Sequence, residues 1–175
     1  MAIREIRKKG DPCLEKVCHP VTEFNERLHL LLDDMRETLE ESGGVGLAAP
    51  QVGILRRVVV VDAGDEDIEL VNPEVVEVSE ETQTGLEGCL SLPGIHESVK
   101  RGDKIRVKYM DENFVEHDEV VEGYLARVMQ HEFDHLDGKM FIDHLSPLRK
   151  QMIRGKLNTM LKGKARSSYK MKQVK

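Results

Sequence analysis

The 175-residue chain has no tryptophan, only three cysteines, six prolines and 4% aromatic residues. Three cysteines are an odd number and too few for a disulfide framework, so reduced thiols are expected, at least one of them free to bind metal. No apolar run approaches the ~18 residues that span a bilayer, and 33% of the chain is charged, which argues against a membrane protein. The opening Met-Ala-Ile-Arg-Glu-Ile lacks the apolar core of a signal peptide, so a cytoplasmic location is the expectation. There are no internal repeats, and the length suits one domain.

One end of the chain also lacks acidic residues. All 32 lie at or before Asp143, whereas residues 149–175 carry ten of the 26 Lys and Arg. The net charge of −6 therefore combines a body of −16 with a tail of +10. Such asymmetry suits an appendage with its own polyanionic partner, such as RNA; a solvated basic tail is the plainer alternative.

Hydrophobic periodicity supplies the elements. Phe24, Leu28, Leu31, Met35 and Leu39 recur at helical spacing after Thr22, a candidate N-cap, and Gly43-Gly44 ends the helix. A glycine-rich segment, Gly43 to Gly53, leads into the β-branched run Val58-Val59-Val60-Val61. Residues 68–80 alternate on either side of an expected turn at Asn72-Pro73, and further strands are expected at 98–101, 104–110 and 115–121. Tyr124, Val128, His131 and His135 share one face of a helix over 123–136, which Gly138 can stop. Ser146 and Pro147 suit the N-cap and first turn of a last helix, 147–162. Strands grouped ahead of a late helix predict an α+β fold. Mixed or antiparallel sheets pack around the central helix, with a second helix at the C-terminus. Residues 1–163 form a single domain in this reading, and 164–175 a loose basic tail.

The strongest local chemical signal is His131-Glu132-Phe133-Asp134-His135. On a helix the two imidazoles lie four residues apart on one face and can share an ion, with Glu132 beside them to handle a proton. A catalytic site of this kind wants a third protein ligand and an open fourth position. Asp143 and His144 fall at unsuitable spacings, and Cys89, between flanking glycines in Glu87-Gly88-Cys89-Leu90-Ser91-Leu92-Pro93-Gly94, is the better candidate. A small buried core residue is the bland reading of a lone cysteine. Cys13, Cys18 and His19 have no matching half-site and are read as structural. Gly43–Gly46 lacks the Gly-Lys-Ser/Thr ending of a phosphate loop and suits contact with an extended peptide instead.

Three segments together resemble one family. Gly44-Val45-Gly46-Leu47-Ala48-Ala49-Pro50-Gln51, Glu87-Gly88-Cys89-Leu90-Ser91 and Gln130-His131-Glu132-Phe133-Asp134-His135-Leu136-Asp137-Gly138 are similar to the three motifs of the peptide deformylases, in order. The resemblance implies a hydrolase that removes the N-formyl group from the initiator methionine of nascent chains and releases formate. It implies that Cys89, His131 and His135 hold the metal, with Glu132 as general base and then acid. The Gln51 amide and the Leu90 backbone N–H would stabilise the developing oxyanion. It also implies Fe2+ as the ion, with Ni2+ or Co2+ as working substitutes and Zn2+ a poorer one, although thiolate and imidazole alone would favour zinc. The substrate peptide would run beside Val45, Gly46 and Gly88, and its methionine would meet Tyr124, Arg127 and Val128. Arg127 is a departure from the apolar residue expected there, its stem lining the wall while the guanidinium reaches water. His96 stands where an Arg is common, and Asp134 is a candidate partner for Arg101. Other partners implied are the ribosome, through the basic segment, and no membrane; a monomer is expected. Two other classes compete: a metalloprotease cutting internal peptide bonds, and a metal-stabilised RNA- or ribosome-binding module.

Overall fold

A computed structural model describes residues 2–174, with side chains described through residue 162. The elements in chain order are α1 (Glu26–Ser42), β1 (Gly46–Ala48), β2 (Val58–Asp62), β3 (Asp67–Val78), β4 (Thr82–Cys89), β5 (Leu92–Gly102), β6 (Lys104–Met110), β7 (Glu116–Glu122), α2 (Gly123–Leu136) and α3 (Pro147–Val174). Strands β1-β2-β3-β6-β7 form one antiparallel sheet, and β4-β5 form a separate two-stranded one. The α+β expectation holds, with α2 central.

Because β2 is apolar on both faces, each face can be covered. Val59 and Val61 pack with Met129, Phe133 and Leu136 of α2, and Val58 and Val60 pack with Leu28, Leu32, Met35 and Leu39 of α1. The sheet is thus sandwiched between the two helices, and α2, buried nearly all round, is fixed at its C-terminal end by Cys18 N–H and Arg57 Nη1, which donate to Leu136 O. A third cluster joins Leu92, Ile95 and Val99 of β5 to Phe141, Ile142 and Ile153 and holds the hairpin against the start of α3. Among the described residues no helix is long and apolar enough to cross a membrane.

Several expected boundaries move. Helix α1 starts at Glu26, because the Asn25 side chain accepts from the N–H groups of Arg27 and Leu28; Thr22 lies upstream in extended chain. Asn72-Pro73 does not turn the chain. Asn72 takes a left-handed φ of 52°, its side chain bonds both Val21 N–H and Val21 O, and β3 continues past it with an irregular register against β6. The missing proline N–H is accommodated at that irregularity. The glycine-rich segment contributes the short strand β1, and β4 arises where no strand was expected. Helix α3 opens at Pro147 with Ser146 Oγ accepting from Arg149 N–H. It runs past the expected end at 162, and the side chains of the basic residues 164–175 lie outside those described.

Candidate active site

Two elements bring the chemistry together. Helix α2 presents His131, Glu132 and His135, all buried. The β4–β5 hairpin presents Cys89 as the last residue of β4, ahead of the two-residue turn Leu90-Ser91. Register slips there: Gly88 pairs with His96, but Cys89 pairs with Leu92, so three residues, Pro93 to Ile95, are left unpaired on β5, with Pro93 and Gly94 exposed and Ile95 turned into the core, and the end of the strand is re-aimed. One ligand atom from each of Cys89, His131 and His135 lies within 4.8 Å of the others, and Cys89 Sγ is 3.3 Å from His135 Nε2.

Glu87 supports this trio. Its carboxylate accepts from His131 Nδ1 at 2.9 Å, from Arg101 Nε and Nη2 at 2.9 and 2.8 Å, and from Arg127 Nη1 at 2.6 Å. Those four donors match its lone-pair positions. Burial works against the charge of Glu87, but Arg101 and His131 prevail and hold the carboxyl at about 2. With Nδ1 engaged by a carboxylate, the Nε2 lone pair of His131 is left for the cleft, the arrangement that orients metal-binding histidines. Burial would likewise discharge His131, but the hydrogen bonds that it makes to Cys89 and Glu87 hold it up at about 10. That pull on a proton is a pull on any cation placed there. His135, fully buried, is pushed down to about 3 by burial and is the neutral, ligating form. The donor set, spacing and field therefore fit a single divalent ion.

Glu132 lies beside the trio with Oε1 buried and lacking a hydrogen-bond partner among the described atoms. Burial raises its carboxyl to about 7 against the opposing charge of His131. It rests on the glycine of β1: a Cβ at Gly46 would stand 2.5 Å from Glu132 Oε2. Gln51, 1% exposed, has its amide fixed in orientation, since Oε1 accepts from Ala48 N–H and Nε2 donates to Ser91 Oγ at 3.1 Å and approaches Cys89 Sγ at 3.6 Å.

A cleft of about 300 Å³ opens onto these groups, lined among others by Val45 and Gly46 on one side, Leu86 and Gly88 on the other, and Tyr124 and Val128 along α2. Tyr124 is more than half exposed at the mouth and Val128 is buried. His96 lies over Gly88, where a Cβ would be 2.6 Å from its ring. Arg127 departs from expectation: its guanidinium does not reach water but is buried against the hairpin. Asp134 does pair with Arg101, at 2.7 Å, and His144 bonds Asp134 rather than joining the trio. Cys13 donates to Pro50 O and Cys18 is buried; burial lifts both thiols to about 11, which fits structural roles. Glu87, Arg101 and Ser91 are the site residues that sequence patterns alone passed over or left in doubt. The one available signal was that an acid in a motif ending in a ligand is a natural orienting group.

A Cys-His-His trio with a buried carboxylate beside it, at the floor of a peptide-sized cleft, defines a metal-dependent hydrolase. The family model for polypeptide deformylase matches residues 3–151. Peptide deformylase 1 of Clostridium perfringens is 53% identical over 146 residues, covering 82% of this chain and 99% of that protein. Crystal structures of peptide deformylases from Thermotoga maritima and Legionella pneumophila superpose with TM-scores of 0.82 and 0.86 at 46% and 42% identity. They cover 84% and 94% of this chain and 100% and 99% of theirs. The chain belongs to the polypeptide deformylase family, and its activity is removal of the N-formyl group from nascent polypeptides.

Proposed function

We infer that Cys89, His131 and His135 hold the catalytic ion, Fe2+ in the cell, and that Glu132, Gln51 and Leu90 carry the reaction on formyl-methionyl chain ends. The observation that carries this reading is the convergence of the three ligand atoms next to a buried carboxylate with an unpartnered oxygen. A divalent ion held by Cys89, His131 and His135 would supply Lewis acidity, lowering the pKa of water and polarising the formyl carbonyl. Glu132 takes up the proton released as the nucleophile forms and later delivers it to the departing amine. Gln51 Nε2 and the Leu90 backbone N–H, in the turn beside Cys89, donate to the oxyanion that develops on the formyl oxygen. The peptide lies extended between Val45-Gly46 and Gly88, where backbone groups rather than side chains bind it, so residues after the first matter little. Its methionine side chain lies against Val128, with Tyr124 at the rim.

Iron beside a thiolate is open to oxidation, so anaerobically purified protein is expected to contain iron and to lose formate-releasing activity in air, while a Co2+-loaded sample keeps it. Elemental analysis with a formate assay on formyl-Met peptides checks this; zinc as the sole metal of the active anaerobic enzyme would refute the choice of ion. Cleavage of unblocked peptides with formyl-Met peptides untouched would favour a protease instead.

The enzyme is placed in the cytoplasm as a monomer, with residues 1–163 as its catalytic domain and the basic C-terminal segment, 164–175 included, docking on ribosomal RNA where nascent chains emerge. Co-sedimentation of the full chain with ribosomes is expected to weaken steeply with salt as counterions compete. Salt-insensitive co-sedimentation, or none at low salt, would exclude that docking mode.

A further inference from the structure

We propose that Arg127 is a positioning residue that sets the distance between the helix and the hairpin on which the metal ligands are divided. This rests on the assignment of Cys89, His131 and His135 as those ligands. The hairpin β4–β5 shares no strand pairing with the five-stranded sheet; it is anchored at the Asp103 end by its connection to β6 and by Gln83 and Gln130, so toward Cys89 its placement relative to α2 depends on side chains, Arg101 to Asp134 and Arg127 among them. Arg127 stands one turn before His131 on α2, and its guanidinium spans both strands of the hairpin. It donates to Gln83 O and Oε1 and to Gly85 O on β4, to Val99 O on β5, and to Glu87 Oε2.

Each of these contacts has a consequence for the site. The carbonyl contacts hold β4 at a fixed height above α2, and Cys89 follows two residues after Glu87 on that strand. The contact to Glu87 supplies one of the four donors that fix the carboxylate, whose other oxygen orients His131. Gly85 leaves the room required: a Cβ there would stand 3.2 Å from the guanidinium. A planar group with five N–H donors can reach acceptors on two strands and a side chain together, which a lysine ammonium cannot. The residue thereby couples hairpin position to histidine orientation, its guanidinium buried against the hairpin at the wall of the cleft.

The test is Co2+ binding and its thiolate-to-cobalt charge-transfer absorption, measured by chelator competition on the full chain. Arg127→Leu is expected to bind Co2+ about 10- to 100-fold more weakly, as loss of supporting contacts around metal ligands generally does. Its absorption band is expected to shift and kcat to fall, with KM for formyl-Met peptides at saturating Co2+ within about 2-fold of the parent. Wild-type Co2+ affinity and absorption together with a raised KM would overturn the proposal and return Arg127 to the pocket wall. Should Arg127→Leu fail to fold, Arg127→Lys carries the same measurement: weaker Co2+ binding supports the proposal and unchanged binding overturns it. Cys89→Ala is the control for the ligand assignment, since unchanged Co2+ binding there would refute that assignment rather than the role of Arg127.

Discussion

Glu132→Gln is expected to cut kcat for formate release by about 10²- to 10⁴-fold while Co2+ still binds. The amide has the shape of the carboxylate and fits the same space beside Gly46, so the ligands need not move. What it loses, in the proposed mechanism, is the ability to accept the proton of the attacking water and pass it to the leaving amine. In the proposed role the protein environment would prepare the carboxylate for both acts, because burial raises its carboxyl to about 7, close to neutrality. A group whose affinity for a proton is balanced near neutrality can serve as base and then as acid within one turnover. The measurement is a single-substrate formate assay on Co2+-loaded protein beside its cobalt absorption. Turnover within about 3-fold of the parent would remove Glu132 from proton transfer.

Gln51→Ala is the second large effect, about 10²- to 10³-fold in kcat, the range seen when one donor to a developing oxyanion is removed. The proposed donor is held in advance. Ala48 N–H fixes the amide oxygen, so the nitrogen can only face Cys89 and Ser91. A donor fixed in this way costs no reorganisation as charge builds on the formyl oxygen. The signature is a matched fall of kcat and kcat/KM, which marks a contact made only in the transition state. A raised KM with kcat intact would place Gln51 in ground-state binding instead. The substitution also strands the buried Ala48 N–H, at a cost of about 1–3 kcal/mol, so thermal unfolding belongs beside the kinetics.

How much of this was legible in the residues depends on where each one gets its instructions. Helix α2 was, because its apolar face and the glycine that follows it are local features, and the His131-Glu132-His135 spacing means one face on any helix. Helix α1 misled at its start, since Thr22 and Asn25 are both competent caps and only the backbone geometry at 25–28 decides between them. Strand β4 could not be seen: Thr-Gln-Thr-Gly-Leu-Glu-Gly-Cys has a single large apolar residue, Leu86, and that one is exposed. What makes the segment a strand is its long pairing with β5. Asn72-Pro73 reads as a turn by every local rule, yet the contact of Asn72 with Val21, 51 residues away, carries the chain straight on. The clustering of Cys89, His131 and His135 was legible through their motifs, but its support was not. Nothing in the neighbourhood of Arg127 says that its partners lie 28 to 44 residues upstream on two strands, and an arginine beside a helix face is most simply sent to water.

The cleft runs beside β1 and β4, each an outermost strand of its own sheet, with Glu132 and His135 buried beneath. A loop of a finished protein is too bulky to lie flat along such edges and still reach the floor; a free chain end held straight is not. Selection is therefore also a matter of timing. An N-terminus is reachable while it remains extended, and folding of its own domain withdraws it, so the reaction races the folding of the substrate.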